Sequence, residues 1–368
     1  MLRLFPAIFG RTFFAAIYVV CLSFEAIPEE PSGVGRLEQR VQKLAKTYIQ
    51  SQSMMGVSIG VIQGAESATV HHGRTSEIGP PPNDQTLYEI GSISKVFTGI
   101  LVADAVKRGE IRLDQPVSEL LPTAVTMPSW PDRPITVLDI ATHRSGLPRL
   151  GDNMPSLHTA NPYGDYTSAL AYEFLNSHSL SRAPGTQYEY SNLAFGLLGH
   201  LISRQTNKSY DELLQKRLTK PLGMPDTAVE LAPAQKARLA TPYDAEKQPT
   251  SNWSFADMPG AGGIRSTISD MMRFAKVHLQ VPRNEIGSAI ELAWKKHHVG
   301  DDSDNSMGLG WHLMGKGSTR IHSGQTGGYH SIILVNRDTQ SAVVVLANTA
   351  TDAVDALAIE VLELLQEN

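Results

Sequence analysis

Ser92 and Lys95 stand three residues apart in Gly91-Ser92-Ile93-Ser94-Lys95, at the head of an apolar run in which Val96, Ile100 and Ala103 recur at helical spacing. Positions i and i+3 share one face of a helix, so the hydroxyl and the amine can meet within a turn. A serine hydroxyl is a weak nucleophile until a base takes its proton. Lysine can be that base when burial or a neighbouring positive charge lowers its pKa from about 10.4. Reaching neutrality near pH 7 costs roughly 4 kcal/mol, which only a partly desolvated site sustains. The spacing predicts a helix over 92–108 with Ser92 at its N-terminus, where free N–H groups favour an oxyanion. An N-capping serine followed by a surface lysine has the same spacing, so the pair needs partners.

Two further clusters supply them. Tyr188-Glu189-Tyr190-Ser191-Asn192 follows the turn Pro184-Gly185 and precedes an apolar helix, and Ile321-His322-Ser323-Gly324-Gln325 is read at the start of a strand-like segment. A phenol beside a lysine can relay a proton to a leaving group or activate a water, and an asparagine can orient a substrate amide.

The elements that would position these residues follow from periodicity. Apolar residues at helical spacing predict a helix over 35–52, and alternation predicts strands over 54–63 and 68–72. Residues 109–257 read as mostly helical, broken by loops rich in Pro, Gly and Asn. Strands are expected over 308–313, 329–335 and 342–346, with an amphipathic helix over 352–366. This order implies an α/β (α+β) fold: one antiparallel sheet built from both ends of the chain, flanked by helices, with a helical region inserted. The expected boundaries are a catalytic domain over 33–368, its sheet region from about 33–92 and 260–368, and an insert over about 98–257.

Composition narrows the function. The chain has 368 residues, 41% hydrophobic and 19% charged, with 32 Lys and Arg against 37 Asp and Glu. The formal charge of -5 comes without a basic block, so no nucleic-acid partner is expected. Cys21 is the sole cysteine, which leaves the body of the chain with no disulfide, thiolate nucleophile or cysteine metal site. Arg3 and Arg11 precede an apolar run over 13–22, and acidic, proline-containing sequence follows from Glu25. Residues 1–27 therefore read as a secretory signal peptide, or an N-terminal anchor if uncleaved. The expected location is periplasmic or secreted, and any membrane association would run through that segment alone.

Rival chemistry is weaker. Gly56-Val57-Ser58-Ile59-Gly60 matches a nucleophile-elbow pattern, but it lies inside a strand-like run where no sharp strand-to-helix turn fits. The pairs His71-His72 and His297-His298 lack the spacing of zinc ligands, since neighbours on a strand point to opposite faces.

With S-x-x-K, Y-x-N and H-x-G in this order, the sequence resembles the serine β-lactamase and penicillin-binding superfamily, in particular its class C-like branch of β-lactamases, DD-peptidases, D-amino-acid peptidases and esterases. Further matches are Tyr88-Glu89-Ile90-Gly91, Gly109 to Pro116, Ile135 to Asp139, Thr142 to Pro148, Lys220 to Met224 and Gly262 to Thr267. The resemblance implies the β-lactamase/transpeptidase-like fold and an acyl-enzyme on Ser92, with Lys95 and Tyr190 handling protons. It implies an oxyanion hole from the backbone N–H groups of Ser92 and Gln325. Asn192 would contact the acyl amide, and His322, Ser323 and Gly324 would line the substrate carboxylate. No metal or cofactor is implied. The substrate is a small β-lactam or a D-Ala-containing peptide, with β-lactam hydrolysis first and D-alanyl peptidase or carboxylesterase activity next. A non-catalytic penicillin-binding receptor is the non-enzymatic alternative, and the intact set Ser92, Lys95, Tyr190 and Asn192 argues against it. Two departures bear on the substrate: His322 stands where class C β-lactamases carry lysine, and Arg149-Leu150-Gly151 stands where they tend to place a glutamine.

Overall fold

The hairpin of β1 (Gly56–Gln63) and β2 (Glu66–Gly73) turns at Gly64, whose φ of +61° suits glycine. In the computed structural model, which describes residues 33–51, 54–155, 160–297, 305–314 and 318–366, this hairpin forms one side of a six-stranded antiparallel sheet. The expected signal peptide or anchor, Cys21 and His298 lie outside the described residues. Two small pairings stand apart from the main sheet, β3 (Leu87–Glu89) with β6 (Arg265–Thr267) and β4 (Ser129–Trp130) with β5 (Arg133–Pro134). The remaining strands of the large sheet are β7 (His312–Met314), β8 (Thr319–Gln325), β9 (His330–Asn336) and β10 (Ser341–Ala347). Their order is β2-β1-β10-β9-β8-β7, so the two ends of the chain meet where β1 pairs with β10, Val57 opposite Ala347 and Gln63 opposite Ser341. This is the β-lactamase/transpeptidase-like fold expected from the sequence.

Helices cover both faces, which is why β9 and β10 are buried from end to end. On one face Val57, Ile59, Val61, Ile332, Leu334, Val343 and Val345 pack with α1 (Gly33–Ser51) and α10 (Ala353–Gln366). On the other, Ile62, Ile333, Val335, Val344 and Leu346 join the larger core with α2 (Ser94–Lys107) and the helices around it. The period of two along each strand sorts these sets. Helix α2 is buried on all sides from Ser94 to Ala105, so Lys95 in its first turn is fully buried.

Residues 109–257 depart from the sequence reading. Their helices are α3 (Val137–Ala141), α4 (Ser168–Ser177), α5 (Asn192–Thr206), α6 (Tyr210–Leu214) and α7 (Pro233–Lys236), with loops between them rather than a mostly helical insert. Pro, Gly and Asn interrupt every apolar run before it lengthens. The chain then closes with α8 (Ile268–Leu279) against the sheet and α9 (Glu285–Trp294) against α2. The expected strand over 308–313 is reduced to His312–Met314, because Gly310 adopts φ +74° and a Cβ there would stand 2.3 Å from the Lys95 carbonyl oxygen. No helix of the described residues is long and apolar enough to cross a membrane.

Candidate active site

Ser92 does not open α2 directly. It sits in a 3-10 turn, Gly91–Ile93, and α2 begins at Ser94. The spacing still brings Lys95 Nζ within 3.0 Å of Ser92 Oγ. Nζ also donates to the Ala261 carbonyl at 2.5 Å, and Ser94 Oγ accepts from the Ile264 N–H at 3.1 Å, so the segment after Pro259 braces the turn.

Tyr190 and Asn192 reach the same place because Ser191 between them caps α5. Its hydroxyl accepts from the Ala194 N–H at 3.0 Å and donates to the Pro148 carbonyl at 2.6 Å. The Ser191 N–H donates to His143 Nδ1 at 3.0 Å, and the His143 ring stacks on Tyr190 with centroids 4.3 Å apart. His143 itself has φ +55°, an uncommon conformation for a side-chain-bearing residue. Tyr190 hydrogen-bonds Ser92, and its ring lies 4.9 Å from Lys95 Nζ. Asn192 Nδ2 donates to Tyr163 Oη at 2.7 Å, while its buried Oδ1 has no partner.

The third cluster ends β8 rather than starting it, since the ladder with β9 already begins at Thr319. Two glycines then let this strand end touch the serine turn. A Cβ on Gly324 would lie 2.2 Å from the Ile90 oxygen and 2.6 Å from the Ser92 nitrogen, and one on Gly91, at φ +47°, would lie 2.8 Å from the Gln325 nitrogen. The backbone nitrogens of Ser92 and Gln325 are thereby held around one spot. His322 is buried, 5.0 Å from His312 between ring centroids, and its Nε2 has no partner.

Burial sets the charges here. It holds the Lys95 amine well below its ordinary pKa, and the Arg149 charge adds to the effect. Burial raises the Tyr190 phenol and lowers His143 and His322, so near pH 7 the phenol and both imidazoles are neutral. His312 is pushed down to about 4 by burial, then by Lys95. The unfolded chain binds a proton at this histidine below about pH 6.5 and the folded one does not until about pH 4, so stability is full above pH 6.5 and falls as pH drops through that window. The loss from His312 alone reaches roughly 3 kcal/mol. Melting temperature is expected to fall steadily from pH 6.5 to 4, and a flat profile would refute neutral burial of this imidazole.

Ser92, Tyr190, Asn192, His322, Ser323 and Gln325 line a cleft of about 1100 Å³; the sequence reading had assigned no part in the site to Arg149, Tyr163 or His312, which share its walls. Arg149 lies over the Tyr190 ring at 5.1 Å, its carbonyl accepting from the N–H groups of Asn192 and Leu193, whereas Arg144 reaches the Asn305 carbonyl. His143 was legible only as part of a motif. No local spacing marks a ring that will stack under Tyr190.

The rival serine is elsewhere. Ser58 lies within β1, fully buried, 2.9 Å from both His71 Nδ1 and Tyr88 Oη, and His71 Nε2 meets Asp84 at 3.0 Å. The contacts imitate a triad, but no substrate reaches a serine without exposed surface. His72 registers with Val57 and His71 with Ser58, on opposite faces of the strand.

A sheet of this topology, with a serine and a buried lysine 3.0 Å apart at the head of a buried helix, defines a serine hydrolase of the β-lactamase/transpeptidase-like class. The Beta-lactamase family model matches residues 41–367, and the chain belongs to that family. It is 29% identical over 287 residues to the D-alanyl-D-alanine-carboxypeptidase/endopeptidase AmpH of Escherichia coli (strain K12), covering 74% of this chain and 73% of that one. It is 28% identical over 312 residues to a β-lactamase of the same strain, covering 83% and 77%. The crystal structure of a β-lactamase/D-alanine carboxypeptidase from Yersinia pestis complexed with citrate superposes with a TM-score of 0.76 at 23% identity, over 91% of this chain and 99% of that one.

Proposed function

We propose that the protein is an exported hydrolase that forms an acyl-enzyme through Ser92, with the amide of a β-lactam as its first substrate. The observation that carries this reading is Lys95, a fully buried amine 3.0 Å from Ser92 Oγ whose pKa burial holds well below its ordinary value. Ser92 Oγ attacks the carbonyl carbon while its proton passes to Lys95 Nζ. The negative charge on the carbonyl oxygen is met by the backbone N–H groups of Ser92 and Gln325. The proton then moves through the Tyr190 hydroxyl to the leaving nitrogen, as the C–N bond breaks. Tyr190 suits relay better than anionic catalysis, because burial favours its protonated form. Water then attacks the ester carbonyl, and its proton passes through the same pair to Ser92 Oγ as the acyl C–O bond breaks.

Asn192 would hold the acyl amide through its unpartnered Oδ1, and His322, Ser323 and Gly324 would border the bound substrate. His322 is uncharged and so offers a carboxylate a hydrogen bond rather than a full ion pair. This favours D-alanyl peptidase activity as the second reading, in keeping with the relative named for it. Export rests on the charge and hydropathy pattern of residues 1–27. Mixing the mature protein with a penicillin, a cephalosporin and a D-Ala-D-Ala peptide and following intact mass separates the readings. A transient adduct with drug consumed supports the β-lactamase, and a lasting adduct with peptide cleaved supports the peptidase.

Arg149 tunes the base. Arg149→Met removes a positive charge that helps keep Lys95 neutral, so the Lys95 pKa rises and less free amine is present at a given pH. The acid limb of kcat/KM is expected to move to higher pH, with Arg149→Lys restoring it. An unmoved limb would show that the guanidinium does not act on Lys95.

A further inference from the structure

The cleft wall beyond Gln325 is acidic. Among the described residues that line the cleft, Asp244, Glu246, Asp352 and Asp355 carry carboxylates, against the single guanidinium of Arg149. Asp352 and Asp355 sit at the start of α10, where a negative charge also suits the helix dipole. That role leaves His330 unexplained.

His330 pairs in register with Gln325 across the β8–β9 turn, is 3% exposed, and lines the same cleft. Its Nε2 lies 2.8 Å from Asp355 Oδ1. A carboxylate only accepts, so Nε2 is the donor in that pair and Nδ1 is the ring's other polar atom. Nδ1 is buried without a hydrogen-bond partner and faces Asp352 Oδ1 at 3.7 Å. A buried ring nitrogen without a hydrogen-bond partner thus faces a carboxylate oxygen, beside a nucleophile cleft whose wall is negative. A cationic N–H donor satisfies both and is drawn in by the surrounding charge. Among the described residues no group of three His, Cys, Asp or Glu side chains is arranged to hold a metal ion, which directs the reading to an organic cation.

Resting on the acyl-enzyme reading, we propose that the enzyme prefers substrates bearing a protonated amine on the arm that lies against the β8–β9 turn, recognised by Asp352, Asp355 and His330 Nδ1. The arm can belong to the acyl or the leaving group, so two isosteric pairs test it: p-nitrophenyl 6-aminohexanoate against p-nitrophenyl heptanoate, and 6-aminohexyl phenylacetate against heptyl phenylacetate. At pH 7.5 and low salt the ammonium member of at least one pair is expected to have about tenfold higher kcat/KM. High salt should compress the ratio, and Asp352→Asn with Asp355→Asn should bring it to about one. Asp352 is 89% exposed, so Asp352→Asn alone tests the idea without risk to the fold, and it should lower the ratio. Equal rates within both pairs, or a preference that survives in the double variant or is untouched by Asp352→Asn, would overturn the inference. Ser92-dependent hydrolysis of the neutral esters with no charge preference defeats this inference alone. Absence of any Ser92-dependent turnover defeats the acyl-enzyme reading beneath it.

Discussion

Ser92→Ala is expected to abolish the covalent adduct with penicillin and to lower kcat/KM for every substrate by at least about 10³-fold. The substitution removes one oxygen that hydrogen-bonds only within the cleft, to Lys95 and Tyr190. Its backbone remains in the same turn, so the melting temperature should stay close to that of the unaltered protein. The Ser92 N–H also remains, so binding of intact drug is retained while bond-making is lost. The comparison is made by intact mass after brief mixing and by steady-state hydrolysis. Turnover within about tenfold of the parent would move the nucleophile to another residue and would remove the basis for assigning Lys95 as the base.

Gly324→Ala should be nearly as damaging without touching a functional group. The added methyl would sit 2.2 Å from the Ile90 oxygen and 2.6 Å from the Ser92 nitrogen, both main-chain atoms that no rotamer change can clear. The end of β8 must therefore withdraw from the serine turn, and with it the Gln325 N–H that the proposed mechanism assigns to the oxyanion. Displacing such a donor by about 1 Å is worth roughly 10²-fold in rate. The loss is expected in kcat, with KM within about threefold, because ground-state contacts elsewhere in the cleft persist. Gly64→Ala is the matched control. That residue has φ +61° and nothing within 4 Å of a Cβ, so the change strains the hairpin turn and costs stability alone. Full activity in Gly324→Ala would mean that the strand end and the serine turn can separate without disturbing the reacting atoms.

The elements nearest these residues were legible for a local reason. The spacing of Ser92 and Lys95 fixes their meeting because one helical turn does the positioning. The unbroken apolar runs of β9 and β10 mark a sheet covered on both faces. The Tyr190-Ser191-Asn192 triplet works through its middle residue, whose capping role is written in its type and its place before an apolar helix. Where chain-local rules compete with distant contacts, the sequence reading slipped. Gly310 breaks a strand because the Lys95 carbonyl occupies the space of its side chain. Ser92 falls in a 3-10 turn because Gly91 must pass under Gln325, and the loops of residues 109–257 are shaped by what they pack on.

The sequence by itself determined which side chains could do chemistry, their order, the helix that carries the first of them, and the family to which the whole belongs. Only the tertiary structure decided their charge states and their neighbours. The Lys95 amine is held below its ordinary pKa because it lies buried in the first turn of α2, and His322 is neutral because it lies buried beside His312. His330 Nδ1 and the Asp352 carboxylate face one another because β9 and the start of α10 converge at the cleft. Desolvation and cross-element distance are properties of the assembled core, and no spacing along the chain encodes them.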